Sequence, residues 1–94
     1  MKQTEDEFSQ LAKLAKNGDK ESLKKLLLKT EKLIYISLYY LAENNCELSD
    51  VIQESLLKIS KNLKKLNDTK AYKSWANKIA IRCFYDYKRK NKKS

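Results

Sequence analysis

Ninety-four residues with one Gly, no Pro, two Cys and no His make a single small domain with room for one modest core. The two Cys are too far apart in sequence to form a ligand pair or a disulfide framework. No stretch reaches the length of a membrane span or an apolar signal core, so the expected compartment is the cytoplasm. The net charge of +9 is unevenly placed: residues 55–94 carry thirteen Lys or Arg against two acids, and residues 1–54 carry eight Lys against ten acids. A field concentrated in one part of a small protein selects a polyanion as partner, and nucleic acid is the commonest.

The scarcity of Gly and Pro, which sheets and turns recruit and helix interiors reject, predicts an all-α fold. The pattern divides into a compact bundle of about four helices. The first spans about Glu7 to Lys16, favoured at its start by the acidic run Glu5-Asp6-Glu7 and ended by Asn17-Gly18. Asp19 caps a long second helix to about Glu43, with a core stripe of Leu23, Leu26, Leu27, Ile34, Leu38 and Leu41. Tyr35, Tyr39 and Tyr40 cluster on this helix as core edge. Glu43 to Cys46 reads as a loop, and Ser49 or a residue just before it opens a third helix to about Leu63. After the short connection 64–67, a fourth helix starts near Asp68-Thr69 and runs into a Lys/Arg tail.

Two helix faces depart from an ordinary bundle. On the fourth helix, Tyr72, Trp75, Ala76, Ile79, Cys83 and Tyr87 share the core arc at about 100° per residue. The opposite arc interleaves Lys70, Ser74, Lys78, Arg82, Lys88 and Arg89 with Ile81 and Tyr85. Cations among an exposed aliphatic and an aromatic can hold phosphates and also contact unpaired bases. On the third helix, Leu48, Ile52, Leu56, Ile59 and Leu63 form the core stripe. Its far side carries Asp50, Gln53, Glu54, Leu57 and Lys61, an apolar anchor in a hydrogen-bonding rim of the kind that docks proteins.

Several segments in this order and spacing resemble region 2 of the sigma-70 family of bacterial transcription initiation factors, the small extracytoplasmic-function (ECF) type above all. Asp50-Val51-Ile52-Gln53-Glu54 is similar to the family's core-binding segment. Leu66 to Trp75 is similar to its loop followed by Phe-x-x-Trp, although Leu66 replaces an aromatic and Asn67-Asp68 replaces an Arg-Gly pair. Lys78-Ile79-Ala80 is similar to the family's Arg-Ile-Ala, and Asn17-Gly18-Asp19 to its opening signature.

The resemblance implies that the third helix docks on the clamp helices of the largest subunit of RNA polymerase core. Asp50, Gln53, Glu54 and Lys61 would supply polar contacts there and Leu57 an apolar one. It implies that Asn67, Asp68, Thr69, Lys70, Ala71 and Tyr72 form a loop capturing a base flipped from the promoter's minus-ten element. Lys73, Lys78, Arg82, Lys88 and Arg89 would then hold phosphates of the non-template strand, beside Ile81 and Tyr85. An anti-sigma factor is a further candidate partner.

The resemblance also makes residues 88–94 the start of a linker to a second, helix-turn-helix domain, and favours the chain being a truncated piece. The competing reading is a regulator or decoy that docks on the clamp without recognising promoters; it would not need Lys78, Ile81, Arg82 and Tyr85 on one face. Neither reading requires a cofactor or a metal. Catalysis is not expected, since no Ser or Cys has a nearby base and no Gly-rich loop could cradle a phosphate. A basic helix lying on an anionic membrane would fit the charge but not the patterned bundle.

Overall fold

Four α-helices and two single 3₁₀ turns account for the computed structural model, which describes residues 6–91. Glu5 and the tail residues Lys92, Lys93 and Ser94 lie outside the described residues. Helix α1 spans Glu7–Lys16, α2 Lys20–Tyr39, α3 Asn45–Asn62 and α4 Tyr72–Asn91. The 3₁₀ turns Leu63–Lys65 and Thr69–Ala71 bracket the loop between α3 and α4.

Local chemistry fixes the helix ends. Asp6 caps α1 by accepting the Ser9 N–H at 2.8 Å. Gly18, at φ +99, closes it in a Schellman motif, its own N–H bonding to Ala15 O at 3.0 Å and that of Asp19 to Leu14 O at 3.1 Å. Asp19 occupies the N-cap position of α2, where its carboxylate accepts the Ser22 hydroxyl at 2.8 Å rather than a backbone N–H.

Two expected boundaries are corrected. Helix α2 stops at Tyr39, short of Glu43. Asn45 and Cys46, read as loop, form the first turn of α3. Asn44 caps that turn through the Glu47 N–H at 2.8 Å, and the Glu47 carboxylate reaches back to the Glu43 N–H at 2.6 Å. This is a capping box shifted by one residue.

The apolar stripes meet in two adjoining clusters. One joins α1, α2, the end of α3 and the start of α4 through Ala12, Leu26, Ile59, Tyr72 and Ala76; the other joins α2, the start of α3 and the middle of α4 through Ile34, Leu38, Val51, Ala80 and Phe84. Phe84, which the helical projection left on neither arc of α4, is buried, and Tyr87 only partly so. Tyr72 is the largest side chain with no exposure, and its hydroxyl is not left unpaired. The Thr30 hydroxyl donates to Leu26 O at 2.6 Å, so Tyr72 donates to Thr30 at 2.7 Å. Burial pushes the phenol up to about 12. Ser37 to Asn77 at 2.9 Å ties α2 to α4 farther along. Among the described residues, no helix is long and apolar enough to cross a membrane.

Candidate docking and nucleic-acid interface

The outer face of α3 is a 3.6-residue ladder whose rungs the core leaves free. Asp50, Gln53, Glu54, Leu57 and Lys61 are all exposed, and Leu57 keeps 60% of its surface in solvent. They line a shallow groove of about 890 Å³ that also takes in Asp86, Tyr87 and Lys90 of α4. Tyr87 donates its hydroxyl to Asp50 Oδ2 at 3.2 Å, and Glu54 pairs loosely with Lys58 at 4.0 Å. The Tyr87 phenol is raised by burial first and by the Asp50 hydrogen bond next, so it remains a donor. The periodicity placed Tyr87 in the core; its ring packs there while its hydroxyl leaves the core for Asp50.

The outer face of α4 sorts the expected cations. Lys78 and Arg82 are exposed and have no ion-pair partner among the described residues. Ile81 and Tyr85 stand beside them, 37% and 53% exposed, with Tyr85 set edge-on to the buried Phe84 at 5.2 Å. Arg89 is exposed and bonded to Asp86. Lys73 lies 3.9 Å from Asp6 and 5.6 Å from the Phe8 ring centre.

Lys88 is the exception on this arc. It bridges Glu43 and Glu47, each at 3.2 Å, and pins the α2–α3 turn to α4. Glu47 is buried, and its carboxyl is held below its ordinary value, first by the Glu43 N–H and then by Lys88 against the opposing effect of burial. Lys88 is correspondingly raised by its bonds to Glu47 and Glu43. In this conformation the residue expected to hold a phosphate is an internal strut, because the buried carboxylate needs a counter-charge. The spacing of Asn44 and Glu47 was the available signal, since a capping box places that carboxylate at the start of α3.

The loop before α4 is also divided. Asn67, Asp68, Lys70 and Ala71 are exposed, whereas Thr69 and Tyr72 are buried. These two are corrected from base contacts to anchors, since neither offers a surface to a base in this conformation. Asp68 folds the exposed part by accepting the Lys70 N–H at 3.0 Å, and the Ala71 N–H bonds to Asp68 O at 2.9 Å. Tyr35, Tyr39 and Tyr40, expected at the core edge, are instead exposed in a mutual aromatic cluster. Cys83 is buried, and Cys46 is exposed without a disulfide partner.

A helix presenting an acidic-rimmed leucine, followed by a turn and a helix presenting cations beside an aromatic, offers one face suited to a protein partner and one suited to a nucleic-acid strand. The Sigma-70 region 2 family model matches residues 26–94, and the chain belongs to that family. Region 2 is the part of sigma factors that binds RNA polymerase and takes part in opening promoter DNA, and its all-helical fold is the one described above. No curated protein and no solved structure matches the chain.

Proposed function

We propose that this chain is an ECF-type sigma region 2 that docks through α3 on the clamp helices of RNA polymerase and holds the opened non-template strand of the minus-ten element along α4. The observation that carries it is the joint exposure of two unlike faces on consecutive helices. Asp50, Gln53, Glu54 and Leu57 offer one apolar anchor in a polar rim, and Lys78, Ile81, Arg82 and Tyr85 form one strip. A decoy that only docks has no use for that second strip, which favours promoter contact. The roles assigned are binding roles, with no bond-making step.

Magnitudes set how the work is shared. Unstacking a base costs a few kcal/mol, and one stacking contact returns about 1–3 kcal/mol. Tyr85 is the one aromatic exposed on the strip, so the domain at best balances the cost for a single base. It therefore captures a strand that is opening rather than prising a closed duplex by itself. Phosphate contacts from Lys78, Arg82 and Lys70 add affinity without sequence preference.

The test has two arms. Asp50→Arg abolishes pull-down with polymerase core while circular dichroism and charge-driven DNA binding persist; unchanged core affinity ends the docking claim. A single-stranded non-template oligonucleotide of minus-ten type binds better than its duplex and loses affinity with Tyr85→Ala. Equal binding of strand and duplex reduces α4 to a generic polycation.

A further inference from the structure

The loop that faces the strand is built without glycine or proline, yet it has little of its own chemistry to hold it. Besides the Asp68 turn and the Leu66 N–H bond to Leu63 O, it is held from outside, and α1 with its N-cap meets it at four points. The Lys16 ammonium donates to the backbone carbonyl of Leu66, where the loop begins. The buried Ser9 hydroxyl donates to Thr69 Oγ1 at 3.4 Å, in its middle. The Phe8 ring stacks on Tyr72 at 5.9 Å, where the loop ends, and Asp6 pairs with Lys73 at 3.9 Å one residue later. A single ten-residue helix and its N-cap residue thus grip residues 66, 69, 72 and 73, and leave Asn67, Asp68, Lys70 and Ala71 facing outward.

We infer that α1 is a positioning element for base recognition, with Lys16 as its latch. The inference rests on the base-capture role proposed for the loop. Leu66 stands at the exit of a 3₁₀ turn, in extended backbone at φ −74 and ψ 116, where its carbonyl has left helical pairing. A half-buried ammonium is a strong donor to such a carbonyl, because a charged partner roughly doubles the strength of the bond. Fixing both ends of the loop before the strand arrives removes the ordering cost that a free loop would bear on binding. It also fixes where Asn67 and Asp68 point, which is what separates one base from another. Lys16 touches no DNA in this scheme. The family match begins at residue 26, so α1 acts from outside the matched segment.

Four labelled single-stranded 12-mers of minus-ten type, identical except for A, C, G or T at one central position, test the inference by fluorescence anisotropy. The readout is the ratio of tightest to weakest Kd, repeated with the varied base at each central position. Lys16→Met is expected to shrink the largest ratio at least threefold, and Lys16→Arg to restore it. Lys20→Met, which removes an exposed charge from α2, is expected to weaken all four alike and leave the ratio intact. Ser9→Ala, a smaller change at the middle grip, lowers the ratio in the same direction and serves if Lys16→Met melts too low to assay. Amide exchange at residues 67–71 is expected to accelerate about tenfold in Lys16→Met.

A wild-type ratio above one that survives both Lys16→Met and Ser9→Ala overturns the latch and spares base capture. A wild-type ratio of one at every position overturns base capture. The latch is then judged on exchange alone, and unchanged exchange at 67–71 overturns it too.

Discussion

Glu47 shows how one side chain can hold a junction and carry a pH dependence with it. Its carboxylate serves the Glu43 N–H at 2.6 Å and Lys88 at 3.2 Å from a buried position. A carboxyl lowered in the folded state adds stability that is fully present above its unfolded value, near 4.5, and fades as pH falls through the folded value. Glu47→Gln keeps an oxygen for the Glu43 N–H but removes the charge. The wild type is therefore expected to melt higher than Glu47→Gln at pH 7, and by a smaller margin at a pH below 4.5. Thermal melts by circular dichroism at the two pH values check this; a constant gap would assign the difference to packing. Tyr72 makes a second case. Tyr72→Phe keeps the ring and removes the donor to Thr30, whose own proton already serves Leu26 O. The expected loss is about 1 kcal/mol, against about 3–5 kcal/mol for Tyr72→Ala, which empties the centre of the first cluster. Urea unfolding of the two variants measures both.

Among the elements, α1 was the most legible from sequence, because its ends are set by local chemistry alone. Its expected bounds, Glu7 and Lys16, are those observed, since Gly18 supplies the left-handed residue that a Schellman motif needs. A Cβ at Gly18 would meet nothing within 4 Å, so Gly18→Ala isolates the backbone cost. That cost is about 1–2 kcal/mol for a left-handed residue. It is expected to lower Tm by about 4–8 °C per kcal/mol in a domain of this size, and Gly18→Asn by less. A melt of Gly18→Ala equal to wild type would mean that the turn relaxes to another conformation. The start of α3 was less legible, because Asn44-Asn45 carries turn chemistry and cap chemistry at once, and only the Glu47 contact decides between them. On α4 the period separated Lys78, Ile81, Arg82 and Tyr85 from the core correctly. A single-helix projection cannot show that Lys88 meets two acids from the α2–α3 turn, about forty residues earlier. Nor could it show that Thr69, ahead of the helix, turns inward to meet α1, although it did place Tyr72 on the core arc. The α3 face was readable because its residues interact chiefly within their own helix, Asp50 with Tyr87 apart.

At the scale of the whole molecule, the charge asymmetry seen in the sequence acts through fewer groups than its total suggests. Of the cations expected on the DNA side, Lys88 is committed to Glu43 and Glu47, Lys73 to Asp6, and Arg89 to Asp86. Lys78 and Arg82 are free of ion pairs among the described residues, and they flank Ile81 and Tyr85. Counterion release counts phosphates neutralised by available cations, not formal charge, and each contact to a single strand contributes about 0.7 to the slope of log K against log salt. Lys78→Ala and Arg82→Ala are each expected to reduce that slope by about 0.7 and to weaken binding similarly for every base sequence. Lys88→Met removes the same formal charge and is expected to leave the slope unchanged, while lowering Tm because the buried Glu47 loses its counter-charge. Anisotropy titrations at a series of salt concentrations, with a melt for each variant, separate the two behaviours. An equal slope change for Lys78→Ala and Lys88→Met would mean that DNA draws Lys88 out of its triad, and that net charge rather than the free cations on α4 governs the affinity.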